Sequence, residues 1–270
     1  MSQAHVHTIG PVGEHIRAWR LRRRRSQLDL ACEAEISCRH LSFIETGRSA
    51  PSRAMILRLA EELEVPPRER NVLLTAAGFA PIFPEHSLSD SALARAREAI
   101  DRILTSQAPY PAFALDRHWQ VVSSNGALPE LYEGVAPHLL APPINVMRLS
   151  LHPEGMAPRI LNHAEWRDHL LMRLRRQVEL TADPAVIALL DEVSAYPRPA
   201  SSKAVRLAPD PGAVAVPLRL ASPLGELSFV STTTVFGTPI DITLSELMLE
   251  LFFPADADTA RIIAEAGSFK

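Results

Sequence analysis

Two short helices joined by a tight turn are predicted between Ser26 and Gly47, and no other feature constrains the fold as strongly. Ser26 and Ser37 each precede a helical segment and can cap it, because a serine hydroxyl accepts hydrogen bonds from unpaired backbone N–H groups. Gly47 follows the second segment, where glycine commonly ends a helix. Ala31 permits a close helix crossing, and Ile36 supplies an apolar side chain in the turn. The inward-facing positions are expected to be Leu30, Ala31, Ala34, Leu41 and Ile44. This pattern predicts a helix-turn-helix.

The outer face of the second helix carries side chains that suit contact with double-stranded DNA. Its exposed positions are predicted to be Cys38, Arg39, His40, Ser42 and Phe43. The second helix of such a motif places its first residues against base edges in the major groove. Arg39 is the leading base reader, because a guanidinium can pair with both acceptors of guanine, and Phe43 can contact a thymine methyl. Phosphate contacts are expected from Gln27, Ser37, Arg48 and Arg53.

The order Gln27, Ala31, Ile36, Leu41, Glu45, Gly47, Arg48 and Pro51 resembles the lambda-repressor-like, Cro/C1-type (XRE) helix-turn-helix family. The resemblance covers residues 13–79. It implies a five-helix DNA-binding domain in which the Gln27 position contacts phosphate and the Ser37–Phe43 segment contacts bases. One departure is Glu35, at a turn position where the family commonly has glycine. A positive φ at Glu35 would cost about 1 kcal/mol.

Charge is divided unevenly along the 270 residues, although the net charge is only −3. Residues 1–60 contain ten basic and five acidic residues, whereas residues 84–270 contain sixteen basic and twenty-two acidic residues. We therefore expect a basic module that attracts phosphates, joined to an acidic module that does not. With 47% hydrophobic residues, the chain can bury a core. We predict a helix-turn-helix domain at 10–83, a connecting helix at 84–108 and a second domain at 109–270.

Residues 109–270 are predicted to mix strands and helices, which makes the whole chain α+β. PAFALD and QVVSSN form a predicted hairpin, and three more strands are predicted in VAVPLRL, GELSFVSTTTVF and ELMLELFFP. AEWRDHLLMRLRRQVEL and DPAVIALLDEVSAY have helical periodicity. Asn125 is expected to cap a short helix in NGALPELY.

The segments PPRERNVLLTAAGFAP and PAFALDRHWQVV give a narrower resemblance, to the MmyB-type branch of these regulators. The resemblance covers nearly the full chain. It implies a C-terminal PAS-like ligand-binding domain with a central antiparallel sheet and a small apolar, fatty-acid-like ligand. The family usually has an aromatic residue before the asparagine that follows the hairpin, whereas this chain has Ser124. This departure predicts a wider or more polar pocket.

Apolar residues that can enclose a ligand lie on the predicted sheet and helices of the second domain. The candidate lining residues are Phe113, Leu115, Leu131, Met147, Leu149, Trp166, Leu170, Phe229 and Val235. Periodicity does not separate such a pocket from a filled core, so both interpretations stay open. Arg173, Arg175 and Arg176 either meet a ligand carboxylate or form a solvated face.

Other kinds of site lack a supporting pattern. His163 and His169 flank Asp168 but are six residues apart, whereas two ligands on one helical face are four apart, so no metal site is predicted. Without a glycine-rich phosphate loop or a nucleophile motif, neither an enzyme nor a cofactor is expected. The longest apolar runs are too short for a membrane span, and the first ten residues lack a secretion-signal pattern, which predicts a cytoplasmic protein.

The sequence therefore predicts a DNA-binding transcriptional regulator that responds to a small apolar ligand. One helix-turn-helix contacts little DNA, so we expect a homodimer on an inverted-repeat operator, with half-sites about one helical turn apart. The alternative is a constitutive DNA-binding repressor whose C-terminal domain serves only dimerisation or contact with another protein.

Overall fold

A computed structural model describes residues 11–127, 129–199 and 215–267. This part of the chain forms two compact units. The first unit contains the described residues up to Glu85 together with Glu179–Thr181 and Ile240–Ile242, and the second contains the remainder. No helix within the described ranges is long and apolar enough to cross a bilayer.

The first unit contains the five predicted helices. They are α1 (Val12–Arg22), α2 (Gln27–Glu33), α3 (Cys38–Glu45), α4 (Arg53–Glu62) and α5 (Pro67–Ala76). Ser26, Ser37 and Ser52 cap α2, α3 and α4, and each accepts a hydrogen bond from a backbone N–H of the first turn. The inner positions are at most 1% exposed, namely Leu30, Ala31, Ala34, Leu41 and Ile44. The predicted helix-turn-helix is therefore confirmed.

The turn between α2 and α3 contains the backbone strain that the sequence pointed to. Glu35 has a φ of 50°, in the left-handed region that a residue with a Cβ atom rarely adopts. The backbone N–H of Ile36 donates to the carbonyl oxygen of Ala31 at 2.9 Å and closes the turn. The carboxylate of Glu35 pairs with Arg58 of α4. The turn thus keeps its geometry with glutamate at a position where glycine would be less strained.

The second unit is built on a five-stranded antiparallel sheet. Its strands are β1 (Ala112–Leu115), β2 (Val121–Ser124), β3 (Leu218–Ser222), β4 (Gly225–Val235) and β5 (Met248–Pro254), in the order β2-β1-β5-β4-β3. The predicted hairpin is β1 and β2, and Asp116 accepts hydrogen bonds from two backbone N–H groups in its turn. β5 pairs with β4 from Phe229 to Val235, whereas β3 pairs with β4 only from Gly225 to Phe229. Within the described ranges, the second half of β4 therefore has a neighbouring strand on one side only.

Helices cover both faces of this sheet. After α5, the helices of the described residues are, in chain order, α6 (Ala94–Ser106), α7 (Pro137–Leu140), α8 (Val146–Leu151), α9 (His163–Thr181), α10 (Pro184–Ala195), α11 (Ile242–Ser245) and α12 (Ala257–Gly267). Ile100 and Leu104 of α6 pack against Ala112 and Leu249 on one face of the sheet. Phe113 points to the other face, where α8, α9 and α10 form the larger core. The predicted connecting helix thus also contributes a layer to the second unit.

Asn125 has a different role from the predicted helix cap. Its Oδ1 accepts hydrogen bonds from the backbone N–H groups of Ala112 and Ala127, each at 3.2 Å. Its Nδ2 donates to the carbonyl oxygens of Leu104 at 3.2 Å and Tyr110 at 2.7 Å. The short helix in this segment is a 3-10 turn that begins only at Pro129. The cap prediction is wrong, because the Asn125 side chain ties the end of α6 to the start of β1.

Candidate functional site

The outer surface of α3 brings together the residues predicted to read bases. It consists of the exposed Cys38 and Arg39 and the half-buried His40, Ser42 and Phe43. Leu41 and Ile44 lie on the inner side of α3 and are 0% exposed. The apolar side anchors the helix in the unit, and the other side presents a polar and partly aromatic surface.

Phe43 is contacted by two guanidinium groups. The Cζ atoms of Arg39 and Arg48 lie 5.3 Å and 5.9 Å from the centroid of the Phe43 ring. An aromatic face attracts a guanidinium through its quadrupole, which restrains the arginine side chain without using its N–H donors. Both arginines are exposed. Their donors therefore stay available for base edges or phosphates.

A buried ion pair supports α3 from inside the unit. Arg20 of α1 donates to both carboxylate oxygens of Glu45, from Nε to Oε1 at 2.6 Å and from Nη2 to Oε2 at 3.0 Å. Gln27 of α2 donates from Nε2 to Oε2 of Glu45 at 2.7 Å. Burial alone would raise the pKa of Glu45, but the hydrogen bonds from Arg20 and Gln27 hold it below its usual value. Three helices are thereby joined at one carboxylate.

The four predicted phosphate-contacting residues lie in different environments. Gln27 is half-buried and uses one amide proton on Glu45, so only its second amide proton is left for a phosphate. Ser37 accepts the hydrogen bond that caps α3. Arg48 and Arg53 are exposed, and Arg53 is the first residue of α4. Their contacts with DNA remain predictions.

A cavity of about 90 Å³ lies in the second unit, on the face of the sheet opposite α6. Eight of the nine predicted residues border it, namely Phe113, Leu115, Leu131, Met147, Leu149, Trp166, Leu170 and Phe229. They come from strands β1 and β4, from helices α8 and α9, and from the 3-10 turn at Pro129–Tyr132. Sheet and helices thus form the walls of one predominantly apolar space.

Val235 is the exception, because β4 extends beyond the covered part of the sheet. Val235 is 58% exposed and does not border the cavity. Strand alternation places Val235 on the same face as Phe229, but the neighbouring residues 232–234 are exposed as well. The prediction of Val235 as a lining residue is wrong, because alternation indicates the face of a strand and not which part of that face is covered.

Ser124 lies at the edge of the same face without entering the cavity wall. It pairs with Phe113 across the hairpin, is exposed, and does not border the cavity. The serine hydroxyl therefore adds no polarity to the wall, and the alternative expectation of a wider pocket stays a prediction.

Arg173 and Glu250 are the charged residues that border the cavity. Arg173 of α9 donates to both carboxylate oxygens of Glu250 in β5, each at 2.8 Å, and its Nη2 also donates to Oγ1 of Thr233 at 2.9 Å. Its Cζ lies 4.7 Å from the centroid of the Trp119 ring. Glu250 is only 5% exposed. Sequence reasoning missed Glu250 and Trp119, although a single acid within the apolar strand LELFF was a usable indication.

The structure separates the three arginines of α9 that the sequence grouped together. Arg173 borders the cavity and is paired, whereas Arg175 and Arg176 are exposed. The interpretation as a solvated face therefore describes the last two, and a contact of Arg173 with a ligand carboxylate stays a prediction.

Two hydroxyl groups also belong to residues that border the cavity. Oγ of Ser150 accepts a hydrogen bond from Nε1 of Trp166 at 3.0 Å, and its own proton remains to be donated. The hydroxyl of Tyr132 has no hydrogen-bond partner among the described residues. Burial raises the pKa of Tyr132 to about 12, so this hydroxyl stays neutral and able to donate.

Three potential metal ligands lie together elsewhere, although the sequence predicted no metal site. One ligand atom from each of His138, His152 and Glu154 lies within 4.8 Å of the others. Nδ1 of His152 accepts a hydrogen bond from the backbone N–H of Glu154 at 3.1 Å. A neutral His152 ring in this arrangement carries its proton on Nε2, where it is a donor and not a ligand.

The two units together define a class of protein. A helix-turn-helix that exposes arginines on its second helix, followed in the same chain by a sheet domain with an apolar cavity, is the organisation of a DNA-binding transcriptional regulator. Residues 11–73 match the family described as helix-turn-helix domain, and residues 96–266 match the family described as MmyB-like transcription regulator ligand binding domain. The second match spans more than half of the chain, and the chain belongs to the MmyB-like transcription regulator family. A comparison with curated proteins finds no match.

Proposed function

We propose that this transcriptional regulator changes its affinity for its operator when a small apolar ligand occupies the cavity of the second unit. The observation that carries the proposal is the apolar cavity, which lies within the residues that match a ligand-binding family. A ligand can change DNA binding only if it binds two conformations of the regulator with different affinities. The fatty-acid-like character of the ligand and the PAS-like description of the domain are part of this proposal.

On the DNA side, we propose that α3 enters the major groove with Arg39 directed at a guanine. The contact of Arg39 with the Phe43 ring supports this role, because it restrains the guanidinium while leaving its donors free. Cys38, His40, Ser42 and Phe43 would lie beside the neighbouring bases. Gln27, Ser37, Arg48 and Arg53 would face the phosphates.

A homodimer on an inverted repeat is the assembly that we propose. The recognition helix α3 has eight residues and can reach only a few base pairs. Two copies of α3 on half-sites about 34 Å apart would read enough sequence for a specific operator.

The test uses the full chain and an operator selected from random DNA. Native mass spectrometry and organic extraction of the purified protein should recover a small apolar molecule, and adding it back should change the Kd for the operator by at least about fivefold, a coupling of roughly 1 kcal/mol. If no molecule is recovered, and no apolar molecule of six to eighteen carbons changes the thermal stability, the ligand-responsive function is wrong.

The constitutive repressor stays as the second candidate because the cavity is small. Ligand pockets commonly measure about 300–1,000 Å³, and this cavity measures about 90 Å³. A constitutive repressor would bind its operator with one affinity under all ligand conditions.

A further inference from the structure

The charged pair beside the cavity determines which head group a ligand can carry. Both carboxylate oxygens of Glu250 accept hydrogen bonds from Arg173, and Thr233 Oγ1 donates to Oε2 of Glu250 at 3.1 Å. The guanidinium of Arg173 also lies over the Trp119 ring. The cation that borders the cavity is thus already neutralised by a buried carboxylate.

A ligand carboxylate would meet this arrangement at a disadvantage. To reach Arg173 it would have to displace Glu250 or share the guanidinium with it, which brings two negative charges close together in a poorly solvated place. Like charges at short range disfavour the ionised forms, and burial adds to that effect. The Arg173–Glu250 pair therefore selects against an anionic head group.

The hydroxyls of Tyr132 and Ser150 offer the complementary chemistry. The Tyr132 hydroxyl has no partner within the described ranges, and the Ser150 hydroxyl accepts from Trp166 while keeping its own proton. Both are neutral donors at residues that border the cavity. A neutral oxygen acceptor on a ligand can satisfy such a donor without bringing charge into the site.

The size of the cavity restricts the ligand further. One water needs about 10–15 Å³ of space measured in this way. A cavity of about 90 Å³ therefore accepts a compact group of a few heavy atoms rather than a long extended chain.

We propose that the cavity binds a compact, uncharged apolar molecule with one accepting oxygen, such as an ester or ketone, and discriminates against the corresponding carboxylate. This proposal rests on the proposed ligand-binding function and narrows its ligand from fatty-acid-like to neutral. Tyr132 and Ser150 donate to the ligand oxygen, and Arg173 with Glu250 excludes the anion.

The first experiment compares matched ligands on the full chain. Methyl butanoate and methyl pentanoate, which are short enough for the cavity, are titrated beside butanoate and pentanoate, with tryptophan fluorescence and calorimetry as readouts. At pH 7.5 each ester should bind at least tenfold more tightly than its carboxylate. The difference in affinity between ester and acid should become smaller at pH 5, where more of the acid is protonated. Equal or tighter binding of the carboxylates at pH 7.5 would overturn the selectivity and leave the ligand-binding function standing. Binding of none of the four would overturn both.

The second experiment changes the charged pair. In Glu250→Gln, Arg173 lacks its anionic partner, so the carboxylate-to-ester affinity ratio should rise at least tenfold. Glu192→Gln is the matched control, because Arg148 donates to both oxygens of Glu192 at 2.8 Å and 2.7 Å and neither residue borders the cavity. This control should leave the ratio unchanged. A ratio in Glu250→Gln equal to that of the control would overturn the assignment of Arg173 and Glu250.

A third variant covers the case in which Glu250→Gln does not fold. Tyr132→Phe removes one hydroxyl and keeps the ring, so ester affinity should fall about fivefold while carboxylate binding stays weak. Unchanged ester affinity in both Tyr132→Phe and Ser150→Ala would overturn the role of the hydroxyls.

Discussion

Each unit contains an arginine–glutamate pair with a buried carboxylate, and the two pairs differ in what surrounds them. In the first unit the side chains of Arg20 and Glu45 are 8% and 1% exposed, and α1, α2 and α3 close around them. In the second unit the side chains of Arg173 and Glu250 are 19% and 6% exposed and border a cavity. The same bidentate contact stabilises α3 in one unit and forms part of a cavity wall in the other.

The difference shows that a buried ion pair has no fixed role. Where protein atoms fill the space on every side, removing one partner changes stability alone. Where space remains beside the pair, we propose that its charges also decide which ligands can enter. The two glutamates should therefore respond differently to the same substitution.

The largest expected effect is the loss of stability in Glu45→Gln. The substitution leaves Arg20 buried without a counter-charge, and breaking a buried pair in this way costs about 3–5 kcal/mol. Glu250→Gln should cost less, because Arg173 is more exposed and keeps its contacts with Thr233 and Trp119. Urea unfolding measures the free energy of unfolding of each variant, and amide hydrogen exchange shows which unit has lost stability. Equal losses in the two variants would remove the contrast between the pairs.

The next effect concerns the exposed side of α3, which the Arg20–Glu45 pair supports. Arg39→Ala should weaken operator binding by about 1–3 kcal/mol and relax the preference at one base pair. Arg48→Ala should weaken binding to all sequences alike and reduce the salt dependence by about one phosphate contact. Competition binding with operators randomised one position at a time distinguishes the two. Unchanged base preference in Arg39→Ala would exclude Arg39 as a base reader.

Local sequence patterns predicted the elements whose structure depends on interactions between residues close in sequence. Serine caps, a C-terminal glycine and apolar spacing were enough for α2 and α3, and period-two alternation was enough for the β1–β2 hairpin. Eight of the nine apolar residues proposed as a lining border the cavity, although periodicity alone did not separate a cavity from a filled core.

The missed features depend on contacts between distant parts of the chain. Arg173 and Glu250 are 77 residues apart, and Arg20 and Glu45 are 25 apart, so no local period relates them. Val235 failed for a related reason, since its exposure depends on where the covering helices stop. Gln27 has the family's residue type, but part of its hydrogen-bonding capacity is used on Glu45 inside the unit.

The second unit has another buried polar group, and unlike the two pairs it has no partner. His163 is 1% exposed, and neither ring nitrogen is hydrogen-bonded within the described ranges. Burial, followed by the positive charges of Arg167 and Arg198, lowers the pKa of His163, although Asp168 opposes the shift. Below about pH 6.5 the unfolded chain binds a proton that the folded chain resists. Stability should therefore fall as the pH drops from 6.5 toward the folded pKa, by at most about 1.4 kcal/mol per pH unit for one proton.

His163→Leu tests this pH dependence. In this variant the fall in stability below pH 6.5 should be less steep than in the wild type. Part of the fall should remain, because burial also lowers the pKa of His169. His138→Leu, at an exposed histidine of the same unit, is the control for the loss of one imidazole. Thermal unfolding from pH 5 to pH 8 provides the measurement. Identical slopes in the wild type and His163→Leu would show that His163 does not destabilise the folded state at low pH.

The smallest expected effect lies at Glu35, where strain and an exposed ion pair oppose each other. Glu35→Ala removes the pair with Arg58 but keeps a Cβ atom at a φ of 50°, whereas Glu35→Gly removes both the pair and the steric strain. An exposed pair contributes about 0–1 kcal/mol, and left-handed strain costs about 1–2 kcal/mol. Part of the gain in the glycine variant is offset by the greater freedom of its unfolded chain. We therefore expect Glu35→Gly to be more stable than Glu35→Ala by about 1 kcal/mol in urea unfolding, with operator affinity unchanged in both. An alanine variant as stable as the glycine variant would mean that the positive φ of residue 35 costs no measurable stability.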